Sequence, residues 1–370
     1  MGRDPRSLSS ALVEHVDHPS RRARLASRFP QLEVDAFLVT RLPNVRYLCG
    51  FTGSNGQLVL TDSGGLFLTD SRYTEQAGHQ VPDLNLAQYS GEFGPAFARA
   101  CAELGLRRVG FEASGVTYRT YQDLSRGEAE LVPTTDEVER LRWVKDPFEI
   151  RGLEGAQEIA DQAFDLIVPT LAEGMTEYEV AFELDMAMRR LGAENISFDS
   201  IVAFGENAAE PHHRPTRRPL RRGDVVKMDF GSVVDGFHSD MTRTVALGEP
   251  DPRLREIHQI VLRAQQAGID AVRAGAVGGD VDRSARQVIE EAGFGERYGH
   301  SLGHGVGLEV HEGPSLRAGG QDVLPEGAVV TVEPGVYVGG LGGVRIEDMV
   351  LVTADGCRVL PRSPRELMVL

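Results

Sequence analysis

Asp229 and Asp240 stand in a stretch, Val225 to Leu247, that has the pattern of a β-hairpin turning at Asp235-Gly236. Asp-Gly suits a two-residue type I′ turn, whose central residues both need a positive φ. In that register Asp229 opposes Thr242 and Gly231 opposes Asp240. Both carboxylates then share one face as diagonal neighbours, with Cα atoms roughly 7–8 Å apart. Two acids so placed can chelate or bridge cations. A solvated edge charge is the plainer alternative, but it suits the apolar run Val225-Val226-Lys227-Met228-Asp229-Phe230-Gly231 poorly. Strands are depleted in Asp, and a buried carboxylate needs a partner.

More acids and imidazoles follow. Glu333 ends the run Val329-Val330-Thr331-Val332, and Glu347 lies in Arg345-Ile346-Glu347-Asp348-Met349-Val350, which is also strand-like. Between them and the hairpin lie His300, His304 and His311 in a glycine-rich segment, Gly299 to Pro314, where backbone and substrate can approach closely. Gly223 to Gly231 parallels Gly327 to Gly335 as G-x-V-V-x-x-acid-x-G, a weak internal repeat. Its functional reading is that duplicated hairpins each deliver an acid to one shared site. A phosphate loop is excluded, because no Lys-Ser/Thr pair follows the glycines and they do not match a strand-to-helix dinucleotide fingerprint. His311-Glu312 does not open a His-Glu-x-x-His zinc helix, since Ser315 stands at the second histidine's position.

The elements that must position these residues read as two domains, as a chain of 370 residues leads one to expect. Residues 1–140 have the texture of a small α/β unit. Ala36 to Thr40 is a buried strand, Gln57 to Thr61 and Leu66 to Thr69 flank Ser63-Gly64-Gly65 as a hairpin, and Pro95 to Leu104 is a helix stopped by Gly105. Phe97, Cys101 and Leu104 share a face of that helix, which makes Cys101 a small core residue. A linker at 138–146 leads to 141–370, which opens with the capping box of Asp146 and Glu149. A second box, Thr176 to Glu179, starts a helix to Leu191; Asp251-Pro252 and Asp280 start two more. Beyond residue 223 strands dominate.

Composition narrows the partners. With 39 basic against 55 acidic side chains and a net charge of −16, the chain lacks the positive footprint that nucleic acid requires. The five arginines between Arg214 and Arg222 read as a solvated connector. No stretch approaches the roughly 18 apolar residues of a membrane span. Met1 to Ala26 mixes Arg3, Asp4, Arg6 and Glu14 with short apolar pieces and has no secretory h-region. Three widely spaced cysteines suit neither a disulfide framework nor a Cys-x-x-Cys metal site, so the protein reads as cytoplasmic. Basic charge is carried by Arg almost throughout, with Lys145 and Lys227 the only lysines.

The ordered set Asp229, Asp240, His304, Glu333 and Glu347 resembles the five metal ligands of the pita-bread-fold metallopeptidases. The runs Ser239 to Thr244, Gly303 to Gly307 and Val332 to Gly335 are similar to the proline-directed branch, aminopeptidase P and prolidase. Leu42 to Leu48 and Phe51 to Gly56 resemble the creatinase-like N-terminal domain of the same enzymes. The resemblance implies an α/β (α+β) fold: a creatinase-like domain, then a pita-bread domain with a pseudo-twofold internal repeat. It implies two divalent ions, Mn²⁺ first, with Co²⁺ or Zn²⁺ also suited to a hard, oxygen-rich set. Asp240 and Glu347 would bridge, Asp229 would hold one ion, and His304 and Glu333 the other. A hydroxide between the ions would cut the bond between an N-terminal residue and a following proline. Glu333 would shuttle the proton, while His212 and His311 polarise the scissile carbonyl. Arg345 would orient an aspartate ligand. His213 is not expected to take part. The implied partners are a peptide with proline at its second position and a second copy of the chain in a homodimer. Prolidase, restricted to dipeptides, remains the alternative to aminopeptidase P. Creatinase is metal-free, so retention of all five ligands argues against it; a methionine aminopeptidase would not need the first 140 residues. A non-enzymatic binding protein on the same scaffold is the most distant reading, and its mark would be lost ligands.

Overall fold

The computed structural model describes residues 16–370, so the leader reading at Arg3, Asp4, Arg6 and Glu14 lies outside the described residues. The chain divides into two compact units, one ending at Arg142 and one running from Trp143 to Leu370.

In the first unit the elements are α1 (His18–Ala26), α2 (Phe29–Leu32), β1 (Ala36–Val39), α3 (Leu42–Cys49), β2 (Gln57–Thr61), β3 (Gly64–Asp70), α4 (Thr74–Gln80), β4 (Asn85–Tyr89), α5 (Phe93–Leu104), β5 (Arg108–Glu112), α6 (Tyr118–Leu124), β6 (Glu130–Thr134) and α7 (Glu139–Arg142). The strands form one mixed sheet in the order β4-β3-β2-β1-β5-β6. All of β1 is buried, as its unbroken apolar run requires. Three local expectations are corrected. Thr61 pairs with Gly64, so the β2–β3 hairpin turns on Asp62-Ser63 and both glycines belong to β3; a two-residue connection matches the strand twist better. Leu104 is 45% exposed at the last position of α5, where Gly105 turns the chain, whereas Phe97 and Cys101 are buried as expected. The segment 138–146 is not open linker throughout, because Glu139–Arg142 makes a helical turn.

In the second unit the elements are α8 (Pro147–Ile167), α9 (Glu177–Arg190), β7 (Asn195–Ile196), β8 (Ile201–Phe204), β9 (Val225–Phe230), β10 (Ser232–Val234), β11 (Phe237–His238), β12 (Met241–Ala246), α10 (Pro252–Ala271), α11 (Gly278–Glu291), β13 (Gly303–Gly305), β14 (Glu312–Leu316), β15 (Val329–Val332), β16 (Gly335–Val338), β17 (Gly342–Arg345), β18 (Asp348–Val352) and β19 (Cys357–Val359). A helix pair followed by antiparallel strands occurs twice, giving sheets ordered β12-β9-β8 and β14-β13-β15-β18-β19. Each half has its own core. Phe164, Val180 and Leu184 pack with Phe204, Met228 and Phe230, and Ile257, Val281 and Ile289 pack with Val330, Val332 and Val350. Both capping boxes form, Asp146 with Glu149 and Thr176 with Glu179. Asp280 does not cap α11, which already begins at Gly278; it lies in the first turn, where a carboxylate complements the positive helix end.

The central hairpin has the expected register, with Thr242 opposite Asp229. Its ladder breaks after Phe230 and Met241, then resumes as β10 and β11 around Asp235 and Gly236, whose φ angles of 49° and 71° are those of a type I′ turn. Gly231 makes the break possible: a Cβ there would lie 1.8 Å from the Ser239 carbonyl oxygen. Gly231→Ala should therefore destabilise the protein by about 3 kcal/mol through overpacking. Gly155→Ala, inside α8 with its nearest neighbour at an ordinary 3.5 Å, should stabilise by about 1 kcal/mol. Urea denaturation of the two variants checks both signs.

Candidate metal centre

The repeated hairpins place their acids equivalently. Asp229 lies in β9 and Glu333 directly follows β15, its counterpart; Asp240 directly precedes β12 and Glu347 directly precedes β18. β9 pairs with β12 and β15 with β18, so each half presents two carboxylates at one end of a strand pair. They meet at a cavity of about 490 Å³ that is also lined by His212, His304, His311 and Arg345. All eight residues singled out from the sequence thus face one space. Asp240, His304 and Glu347 each bring a ligand atom to within 4.8 Å of the others. His304 Nε2 is 3.6 Å from Asp240 Oδ2 and 3.4 Å from Glu333 Oε1. Its Nδ1 lies 3.0 Å from the Gly305 carbonyl oxygen, which can only accept; the proton therefore sits on Nδ1, and Nε2 offers a lone pair to the cavity. The His311 ring meets His304 edge to face at 4.4 Å between centroids.

Electrostatics set the chemistry. Burial, then repulsion from Glu347, Asp229 and Glu333, holds the Asp240 carboxyl well above its usual range. Burial and the charges of Glu333 and Asp229 do the same to Glu347. Glu333 is pushed up to about 8, chiefly by burial. His304 falls to about 4 through burial and the neighbouring His311, so its imidazole is neutral and able to ligate.

Arg345 is buried, not at a solvated strand end: it pairs with Asp229 Oδ2, donates to Thr242 Oγ1 at 3.0 Å, and reaches the Pro211 carbonyl at 3.1 Å and the Tyr337 hydroxyl at 2.9 Å. Thr242 in turn donates to Glu347 Oε2 at 2.6 Å, and Thr331 to Glu333 Oε1 at 3.3 Å. Sequence reasoning missed these supporting groups. Thr242 could have been found, because the hairpin register set it opposite Asp229. Tyr337 and His300, joined by a 2.9 Å hydrogen bond, carried no spacing signal. Phe198, Ile201 and Pro211 supply apolar wall to the same cavity. His213 is buried between Glu177 and Glu210, at 2.9 and 2.7 Å, beside the cavity-lining His212.

The donor set fits hard divalent cations. Four carboxylates and a neutral imidazole converge, and among the described residues no thiolate joins them and Asp229 Oδ1 is buried with no hydrogen-bond partner, leaving a lone pair for an ion. A carboxylate-rich centre shared by two like halves is suited to metal-assisted hydrolysis. Metallopeptidase family M24 matches residues 151–354, and the creatinase/prolidase N-terminal domain matches residues 21–144. The chain belongs to that metallopeptidase family, with a creatinase-type domain followed in sequence by the family's pita-bread fold. It is 43% identical to the uncharacterized peptidase YqhT of Bacillus subtilis, over 94% of this chain and 99% of that protein. Among solved structures, an Xaa-Pro dipeptidase from Bacillus anthracis is 42% identical with a TM-score of 0.94, covering 96% of this chain and all of that one. An X-Pro aminopeptidase from Thermotoga maritima is 37% identical with a TM-score of 0.87, covering 94% of this chain and 99% of that one.

Because burial and mutual repulsion hold the Asp240, Glu333 and Glu347 carboxyls above their usual range, loading should release protons near neutral pH, and affinity should rise as pH rises toward the Glu333 value of about 8. Calorimetric titration with Mn²⁺ in buffers of different ionisation enthalpy measures that release.

Proposed function

We propose that the protein is a manganese-dependent exopeptidase that hydrolyses the bond between an N-terminal residue and a following proline. The observation that carries this reading is the convergence of four carboxylates, His304, His212 and His311 on one cavity. Asp240 and Glu347 would be shared by two ions, Asp229 would hold one, and His304 with Glu333 the other. When bound, such ions supply Lewis acidity and make water nucleophilic at neutral pH. The chain's own residues do the rest. Glu333 accepts the proton of the attacking water and passes it to the departing proline nitrogen. His311 and His212 donate to the scissile carbonyl oxygen as negative charge develops on it. Arg345 holds Asp229 in place from behind.

The names of the two similar solved structures support both an Xaa-Pro aminopeptidase, the first reading, and an Xaa-Pro dipeptidase, the second. Rates on Xaa-Pro against Xaa-Pro-Yaa separate them. The same proposal places the enzyme in the cytoplasm as a homodimer. Three free cysteines suit a reducing compartment, and among the described residues no helix is long and apolar enough to cross a membrane. Sedimentation tests the dimer.

Chelation should abolish hydrolysis and Mn²⁺ should restore it, whereas full turnover by metal-free protein would end the proposal. Asp240→Ala should leave less than one equivalent of metal bound; two tightly held ions in that variant would contradict the shared-ligand assignment. His311→Ala should lower kcat by roughly 10²–10³ with metal content unchanged, the range for one lost oxyanion donor. Loss of metal in that variant would instead make His311 a ligand.

A further inference from the structure

Only two of the 39 basic side chains are lysines, and both are buried. Lys145 pairs with Glu312 at 2.6 Å, but among the described residues Lys227 in β9 faces no carboxylate within ion-pair distance. Its Nζ donates to three backbone carbonyls instead: Glu210 at 2.5 Å, Ala208 at 3.2 Å and Pro211 at 3.4 Å. These are the residues that lead into His212. A compact ammonium with three N–H groups suits acceptors gathered around one point, which a planar guanidinium does not. The Tyr337 ring, 5.1 Å away, covers the charge.

The same loop is held by a buried group of opposite sign. Glu177, the first residue of α9, is fully buried. Its Oε1 accepts from the Phe204 N–H at 2.8 Å and Asn207 Nδ2 at 2.9 Å. Its Oε2 lies 2.9 Å from His213 Nε2 and accepts from the Thr216 N–H at 2.9 Å and hydroxyl at 2.6 Å. The loop also rests on β17 with no room for side chains, since a Cβ on Gly343 would lie 2.2 Å from the Ala208 carbonyl oxygen. Backbone held this closely on every side is costly unless one conformation is needed.

We propose that Lys227 is a positioning residue for His212: with Glu177 it clamps the backbone of residues 204–216 so that the His212 imidazole is presented to the cavity. This rests on the reading of that cavity as the Xaa-Pro peptidase site. Lys227 does not line the cavity; it acts through the loop.

Lys227→Met keeps the length of the side chain and removes the donors. It should retain both metal ions and KM while kcat falls roughly 10²-fold, the scale of a misplaced catalytic group. In a His212→Ala background the same substitution should change kcat by less than about twofold, because two residues acting as a unit are not additive. A merely structural lysine would instead multiply the two losses, and that result, or loss of metal, overturns the proposal. Hydrogen exchange gives a readout independent of activity. The amides of Phe204 and Thr216 should exchange slowly in the wild type and faster in Lys227→Met, with α8 unchanged. A wild-type loop that exchanges like free coil overturns the clamp even if the variant does not fold. Wild-type protein that cleaves no Xaa-Pro peptide while the exchange pattern holds would refute the proposed function and leave the clamp standing.

Discussion

Like charge gathered at one cavity is the constraint on which the catalytic unit depends. Asp229, Asp240 and Glu347 are buried and Glu333 half-buried where they meet at one cavity, and the raised ranges of Asp240, Glu333 and Glu347 reflect the cost of ionising like charges there. Arg345 offsets one charge, and Thr242 and Thr331 donate hydrogen bonds, but these do not balance four carboxylates. A buried group of acids must either take up protons or be paired with cations. Strands, helices and loops here serve to hold that unbalanced set together.

The repeat makes this tractable. A single strand pair can carry two acids on one face, with a threonine behind them, and still bury apolar residues on the other. Using that unit twice lets each half build its own core, around Phe230 in one and Val332 in the other, before the acids are brought face to face. The groups that are not repeated, His304, His311 and His212, come from segments with glycine or irregular backbone. Those segments can approach the centre more closely than a strand carrying side chains on both faces.

Much of this could be read from residue types. An Asp inside an apolar strand conflicts with both β-propensity and burial, and Asp-Gly set the register that put Thr242 opposite Asp229. Capping boxes at Asp146 and Thr176 likewise announced their helices. Where local signals were ambiguous the reading failed. Two adjacent glycines after Ser63 looked like a turn but were strand, and Asp280 looked like a cap but sat inside the helix. Long-range supports left no trace at all. Tyr337 and His300 meet only in the folded chain, and Lys227 reads as an ordinary strand residue until the loop from Ala208 to Pro211 is laid across it.

The placement of the acids on both halves has a topological consequence. Asp229 and Asp240 come before α10 and α11, whereas Glu333 and Glu347 come after them. In the proposed loaded enzyme, ions shared by the two pairs would close a long covalent loop through the ligands, much as a disulfide closes one through sulfur. A constraint of that kind acts on the unfolded chain, removing conformations it could otherwise explore, and its effect grows slowly with loop length. The centre would thus be a reversible cross-link as well as a reaction site, one that fastens the two halves of the domain whenever it is filled.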